Sequence, residues 1–359
     1  MTILQGHDID RTEWSRLVQS SATGTWFQTP EAYDFFVSQP ELFKPFAIGI
    51  CNLKFETINA QSTLRAVCCG YVTVEKNFIK QFFTRRAIII GGPALADDCT
   101  DEEVEALMTA VKNHLSSYHS FTHSFVHTPI YIETRNFNSY AKWRNAFKAA
   151  GFEYQPHLNF HVDTSSVETV EANIGKSRKR DIRTTIREGV TIAELRSEGI
   201  HELEREKMVH EYYTILKNLY TKKVKTPLFQ ETFFQLLAKH PDARFLLTEM
   251  NGKIIGGTVC VAQEGKCLYE WFACGEDGVY PHVYPSCYAT YAGILYAAEH
   301  GMPRFDMMGA GSPDEAYGVR DFKAKFGGKE VEHGRFVCIT KPLLYKIGVL
   351  GVKILKKLK

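Results

Sequence analysis

Three groups of residues in this chain have types and spacings that suggest chemistry. His119, His123 and His127 recur every four residues, the spacing that sets imidazoles on one face of a helix and can hold a metal. No acidic residue stands among them and no H-E-x-x-H accompanies them. Pro129 and the β-rich run from Val126 to Ile132 end a helix before the third histidine, so the spacing does not make a metal site. Gly309-Ala310-Gly311 follows a strand pattern as a dinucleotide fingerprint does. Its third glycine is missing, and Pro313-Asp314-Glu315 stands where a long helix should open, which leaves a turn over the sheet edge. Neither a phosphate-binding G-x-x-x-x-G-K-[ST] nor a hydrolase G-x-S-x-G occurs.

The third group is the most informative. Tyr317 to Gly328 reads as a short basic helix between a glycine-rich loop and a strand. On local chemistry it is first an amphipathic helix, with Phe322 and Phe326 in the core and the lysines in water. The sharper alternative is a lysine that holds a carboxylate or phosphate, or stabilises an oxyanion while an acyl group moves.

Cations cluster elsewhere too. Lys176, Arg178, Lys179, Arg180, Arg183 and Arg187 crowd one stretch, and Lys222, Lys223 and Lys225 form a second. The tail carries Lys341, Lys346, Lys353, Lys356, Lys357 and Lys359 with no acid between them. Such patches suit the phosphates of a nucleotide, a tRNA or an anionic lipid, or a solvated helix face.

These residues sit in an ordinary globular chain. It has 359 residues, 44% hydrophobic and 23% charged, with a formal net charge of +2, so disordered and fibrous classes are excluded. At roughly 150 residues per domain the length implies about two domains. Nine cysteines without a C-x-x-C, an N-terminus without a signal pattern and no long apolar run lead us to expect a cytoplasmic protein with reduced thiols.

Strands are expected at Phe46 to Cys51, Arg65 to Val74, Ala87 to Ile90, Ser124 to Ile132 and His157 to Val162. A helix from Asp101 to Leu115 starts at a Thr100/Glu103 capping box, with Val104, Leu107, Met108, Val111 and Leu115 at helical spacing. The second half repeats the order. Arg244 to Glu249 and Ile254 to Val261 pair across Asn251-Gly252, and Cys267 to Cys274 is a third strand. Ser286 caps a helix through Ala298, Arg304 to Met308 is a buried strand, Asp321 to Phe326 a short helix and Arg335 to Ile339 the closing strand. Phe147-Lys148-Ala149 and Phe322-Lys323-Ala324 each precede a strand, an echo that supports duplication. The expected organisation is α/β (α+β), a first domain over 1–165, a second over 166–345 and a basic amphipathic tail over 346–359.

The pattern G-V-x-x-F-K-x-x-F-G, matched by Gly318, Val319, Phe322, Lys323, Phe326 and Gly327, resembles the C-terminal signature of the Fem family of peptidoglycan bridge-forming aminoacyltransferases. Phe27-Gln28-Thr29-Pro30, Gly91-Gly92-Pro93 with Asp97 after it, and the basic run leading into Gly189-Val190 agree in order. The resemblance implies two tandem GNAT-like acyltransferase domains, each a mostly antiparallel sheet with flanking helices. It implies transfer of an amino acid from aminoacyl-tRNA to an amine of a nucleotide- or lipid-linked muropeptide precursor. Lys323 and Phe322 then carry the transfer, and Asp97 matches an acidic position considered as a base. Substrate contacts are expected from Lys222, Lys223, Lys225, Arg178, Arg180, Arg183, Tyr317 and Arg320. Where members carry a lysine for the precursor's phosphates on the first helix, this chain has Phe35, Phe36 and Val37.

No resident cofactor or metal is expected. An acetyl-CoA-dependent N-acyltransferase is the second reading; its pyrophosphate turn would fall at Gly275 to His282, where Glu276 and Asp277 would repel the anion. The third is a non-catalytic binding module in envelope polysaccharide assembly. The tail from Leu343 suits a membrane surface, for peripheral association on its inner face, or docking on its own domain.

Overall fold

The computed structural model describes residues 1–52, 63–75, 82–117, 128–224, 227–314 and 318–357, the last six of these by their backbone alone. The three histidines at 119, 123 and 127, together with Lys225 and Tyr317, lie outside the described residues.

The chain opens with β1 (Thr2–Gln5), α1 (Arg11–Ser20), α2 (Pro30–Val37), β2 (Phe43–Asn52), β3 (Thr63–Thr73), β4 (Ala87–Gly91) and β5 (Ala94–Leu95). It continues through α3 (Asp101–Ser117), β6 (Tyr131–Asn136), α4 (Arg144–Ala149) and β7 (Glu153–Gln155). Next come β8 (Leu158–Asp163), α5 (Val167–Asn173), α6 (Lys176–Arg187), β9 (Thr191–Leu195), α7 (Glu202–Leu219), α8 (Glu231–Leu237) and the strands β10 (Ala243–Met250), β11 (Lys253–Gln263) and β12 (Cys267–Gly275). The last elements are α9 (Pro285–Glu299), β13 (Arg304–Gly309), α10 (Gly318–Ala324), β14 (Lys329–Glu332), β15 (Arg335–Ile339) and α11 (Pro342–Lys357).

Two compact units result, Met1–Pro156 with His333–Lys359, and His157–Glu332. Their sheets run β1-β2-β3-β4-β6-β15-β7 and, read from the other edge, β9-β10-β11-β12-β13-β8-β14. Each has one parallel pair, β4 with β6 and β12 with β13, and antiparallel neighbours elsewhere. These are two tandem GNAT-like domains with duplicated topology.

One slot is exchanged between the two halves of the sequence. β8 follows β7 after two residues yet joins the second sheet, and β15 follows β14 yet joins the first. The chain therefore passes between units at 156/157 and 332/333, where the sequence pointed to 165/166 and 345/346. The polar stretch after Thr164 marks the end of β8, not a linker. Composition shows where hydrophobic patterning pauses, whereas unit membership is set by ladder pairing. A hairpin whose strands part company leaves no local trace.

Cores form on the apolar sheet faces. Val104, Leu107, Met108, Val111 and Leu115 of α3 are fully buried, as their spacing requires, and the Thr100/Glu103 capping box forms in both directions, at 2.9 and 3.3 Å. Trp14, Leu17 and Val18 of α1 belong to a second core cluster of that sheet. In the second unit one cluster joins α5, α6 and α9 residues to the sheet, including Val170, Ile182, Ile294 and Phe305. Asn251 and Gly252 take φ of 52° and 75°, the left-handed pair that a two-residue hairpin turn requires.

Some local details differ from the sequence reading. Of the strand expected from Ser124 to Ile132, residues 124–127 lie outside the described residues; the observed strand runs from Tyr131 to Asn136. Ser286 is not the cap of α9; Pro285 begins that helix and Ser286 is itself hydrogen-bonded to Asp277. The short helix at the Phe-Lys motif starts at Gly318 and ends at Ala324.

Candidate functional site

In the second unit β12 and β13 pair only at Leu268–Phe305 and Tyr269–Asp306. Beyond Tyr269 the strands part, because β13 bulges between Asp306 and Gly309. Met308 in the bulge adopts a positive φ of 57°, a conformation that costs a non-glycine residue about 1–3 kcal/mol and needs outside support. Two buried charges supply it. Asp306 Oδ1 accepts the Met308 N–H at 2.7 Å. The Lys323 ammonium donates to the carbonyls of Met307, Met308 (3.5 Å) and Gly309 (2.9 Å).

Lys323 is therefore not a lysine in water. It is 8% exposed, and the half-buried Phe322 and buried Phe326 bracket it along the chain. The amphipathic reading failed here because α10 is too short to sort its faces cleanly. The lysine's stem packs inward, and the carbonyls freed by the bulge supply the hydrogen bonds its charge requires. Burial pushes its pKa down, while Glu270 and Asp306 push it back up.

Glu270 is the other half of the arrangement. It stands on β12 just past the last β13 pair and is 7% exposed. Thr258 Oγ1 and Thr290 Oγ1 both donate to its Oε1, at 3.0 and 2.8 Å. Burial raises its pKa, and Lys323 and the two hydroxyls counter only part of that. His161 Nε2 on β8 lies 3.1 Å from Asp306 Oδ2. A cation, two acidic side chains and an imidazole thus form a buried cluster where two parallel strands separate. Charge developing there is felt far more strongly than in water.

The sequence reading missed Glu270, Asp306 and His161. A signal was available, because Glu270 and Asp306 are lone acids inside strand patterns that are otherwise apolar, Cys267 to Cys274 and Phe305 to Met308. An acid placed so is either paired or functional.

The other expected residues divide by location. Arg178 joins the motif: its guanidinium lies 4.4 Å from the Phe322 ring and 5.0 Å from the Phe326 ring, donates to the Phe322 carbonyl at 3.4 Å and pairs with Asp181. Gly175 permits that approach, since a Cβ there would meet the Lys325 carbonyl at 2.9 Å. Arg320 holds the loop before α10 by donating to the Ala310 and Ser312 carbonyls. Arg180 and Arg183 are exposed on α6, with Arg180 paired to Asp181. Lys222 and Lys223 are exposed on the wide turn Tyr220–Val224 after α7. Asp97 belongs to the first unit, where its exposed carboxylate accepts the Ala22 N–H at 3.0 Å.

The remaining motif residues of the first unit are built into the fold. Gln28 is fully buried and acts as a peptide group, donating to the Cys69 and Ile90 carbonyls at 2.9 Å each and accepting the Cys69 N–H at 2.7 Å. It bridges β3 and β4 past the end of their ladder. Gly92 has a φ of 77°, and a side chain there would strike the Tyr140 ring. Among the described residues no group of His, Cys, Asp and Glu is arranged to hold a metal. All nine cysteines are buried, and none forms a disulfide.

Comparison with known proteins bears on the family and the fold. The sequence model of the FemAB family matches residues 242–351, the part of the chain that holds β10 to β15, Glu270, Asp306 and Lys323. The resemblance to the Fem family read from the sequence is thereby borne out. No curated protein sequence matches the chain.

Among solved structures the crystal structure of FemX is similar, with a TM-score of 0.66 at 13% identity, covering 96% of this chain and 99% of that one. L-PGS from Bacillus licheniformis has a TM-score of 0.53 at 12% identity and 97% coverage of both chains. A tandem GNAT protein from the clavulanic acid biosynthesis pathway has a TM-score of 0.52 at 8% identity, covering 94% and 98%. At these identities the structures establish the fold. With the family match they support an acyltransferase.

Proposed function

We propose that this chain is an aminoacyltransferase that joins an amino acid carried on tRNA to an amine of a peptidoglycan (muropeptide) precursor, and that the reaction takes place in the second unit. The observation that carries the reading is the burial of Lys323 at the parting of β12 and β13, inside the segment matched by the FemAB model.

The amine attacks the ester carbonyl of the charged tRNA. The C–N bond forms, the carbonyl oxygen becomes an oxyanion, and as the oxyanion collapses the C–O bond breaks, the ribose leaving as its hydroxyl with the proton that the amine nitrogen gives up. A free amine attacking an activated ester needs little help from a base. The main demand is for positive charge near the oxyanion; the Lys323 ammonium, held by three carbonyls, supplies it as a buried charge and would hydrogen-bond the oxyanion by giving up the long contact to Met308. Phe322 and Arg178 hold the helix that carries the lysine. Asp97, which the resemblance offers as a base, belongs to the first unit and takes no part in this step.

Two features favour tRNA over a CoA ester as donor. The N-terminus of α9, where backbone N–H groups would cradle a pyrophosphate, is occupied by the protein's own carboxylate, since Asp277 accepts from the Ser286 N–H at 3.2 Å and from its hydroxyl. Gly275 abuts the same turn so closely that a Cβ would lie 2.4 Å from Ser286 N. Meanwhile Lys176, Arg180, Arg183, Arg187, Lys222 and Lys223 are exposed and suit a polyanion. Aminoacyl-tRNA is a cytoplasmic donor, so the reading places the reaction on the cytoplasmic side.

The test is mass spectrometry of soluble and lipid-linked muropeptide precursors incubated with the protein and either charged tRNA or acetyl-CoA. A mass gain of one amino-acid residue with charged tRNA is the expected result. A gain of one acetyl group would transfer the protein to the CoA enzymes, and no gain on any precursor would overturn the reading.

A further inference from the structure

The last helix, α11, has two unlike faces. On the inner one Leu344, Tyr345, Gly348 and Gly351 are half-buried; the Tyr345 ring lies 5.5 Å from that of Tyr131, and a Cβ at Gly348 would stand 3.7 Å from the Phe83 carbonyl. The helix is therefore already docked on its own unit. Its outer face should then be polar, and it is not. Leu343, Ile347 and Leu350, spaced i, i+4, i+7, are 73%, 46% and 59% exposed. Phe83, next to the helix at Gly348, is 40% exposed.

Cations border this stripe. Lys346 is exposed beside it, and Lys353 and Lys357 follow at helical spacing. From His333 to the end the chain has seven Lys and Arg residues and no acid. An apolar stripe flanked by lysines matches the boundary of an anionic bilayer, where alkyl side chains enter the acyl region and ammonium groups meet phosphates. A second copy of the chain fits poorly, because it would bring the same positive charge to the contact. Among the described residues no helix is long and apolar enough to cross a membrane, so the contact is with the surface.

We propose that the outer face of α11, with Phe83, rests in the interface of an anionic lipid membrane. The inference is independent of the transfer reaction, because binding is read without substrate.

The experiment sediments the full chain with vesicles of phosphatidylcholine alone, or of phosphatidylglycerol and phosphatidylcholine in equal amounts, at low and high salt. Binding to the mixed vesicles that weakens with salt is expected, with little on phosphatidylcholine alone. Leu343→Glu/Leu350→Glu should weaken it by about tenfold or more while leaving the melting temperature unchanged, since both side chains are exposed. Lys341→Glu/Lys346→Glu should weaken it as well. Failure to bind the mixed vesicles, or equal binding by both variants, overturns the proposal. So does loss of binding when glycerophosphate is added, which would indicate a phosphate site, or a stable dimer in light scattering that Leu343→Glu/Leu350→Glu dissolves.

Discussion

The two units carry the same Phe-Lys-Ala sequence at the same place in the same topology, on α4 in the first and α10 in the second. In the first, Phe147 is fully buried and stacks on Phe336 with centroids 3.9 Å apart, while Lys148 points to solvent. In the second, the phenylalanine is half-buried and the lysine is the buried residue. The strands next to each helix explain the reversal. β4 and β6 stay paired over five positions, Ala87–Ile132 to Gly91–Asn136, so no carbonyl is freed for a lysine. β12 and β13 pair at two positions and then diverge around a bulge that Lys323 fills with its charge.

The buried acids differ in the same sense. Burial alone would raise the pKa of Glu133 on β6, but Arg135, Arg335 and Arg86 surround it and hold it at about 2. Glu270 has one lysine and two hydroxyls, and burial keeps its pKa raised. One unit has a saturated ion cluster between strands that stay paired; the other has an under-compensated one where the pairing of β12 and β13 ends. The two copies share a topology and differ in how their buried charges are compensated.

The sharpest way to break this comparison is to neutralise both lysines. Lys323→Met should lower transfer by about 10²–10³-fold, the scale of losing an oxyanion stabiliser. It should also destabilise the protein by about 3–5 kcal/mol, because two buried carboxylates and three carbonyls lose their cation. Lys148→Met should change neither, as measured by precursor mass gain and thermal melting.

Glu133→Gln comes next. Because its folded pKa lies below the unfolded value of 4.5, the stability it contributes is present above that value and lost as pH falls through about 2. That contribution is worth about 3 kcal/mol. The variant should lose about that much at pH 7 and show a flatter acid limb in denaturant titrations. Gln28→Leu, which orphans two carbonyls and an N–H between β3 and β4, should cost about 1–3 kcal/mol without altering the second unit's chemistry.

The smallest stability effect belongs to Glu270→Gln. Its raised pKa means that ionisation weakens the fold as pH rises through the folded value, and glutamine still accepts both threonine hydroxyls. Stability at pH 7 should stay within about 1 kcal/mol, while activity falls because the field around Lys323 changes. A loss as large as that of Glu133→Gln would erase the distinction between the two clusters.

Much of this was legible in the sequence. The period of α3 and its capping box, the Asn251-Gly252 hairpin and the echo of Phe147 and Phe322 depend on neighbours a few residues away, and the structure contains all of them. The motif at Gly318 to Gly327 singled out the lysine. Its burial was not legible, because it depends on a bulge in β13 formed sixteen residues earlier. The exchange of β8 and β15 was hidden for a similar reason: each strand alternates as it would in either sheet, and only the pairing decides. Glu270 and Asp306 lay in plain view as acids within apolar strands, and their significance appears only once Lys323 is placed between them.

The central claim is that the second unit's lysine performs the transfer and the first unit's does not. Its most direct test is to incubate a muropeptide precursor and charged tRNA with the parent protein, Lys148→Met and Lys323→Met, and weigh the products. The account predicts a gain of one amino-acid residue from the first two and none from Lys323→Met. Transfer by Lys323→Met at the parent rate would contradict it.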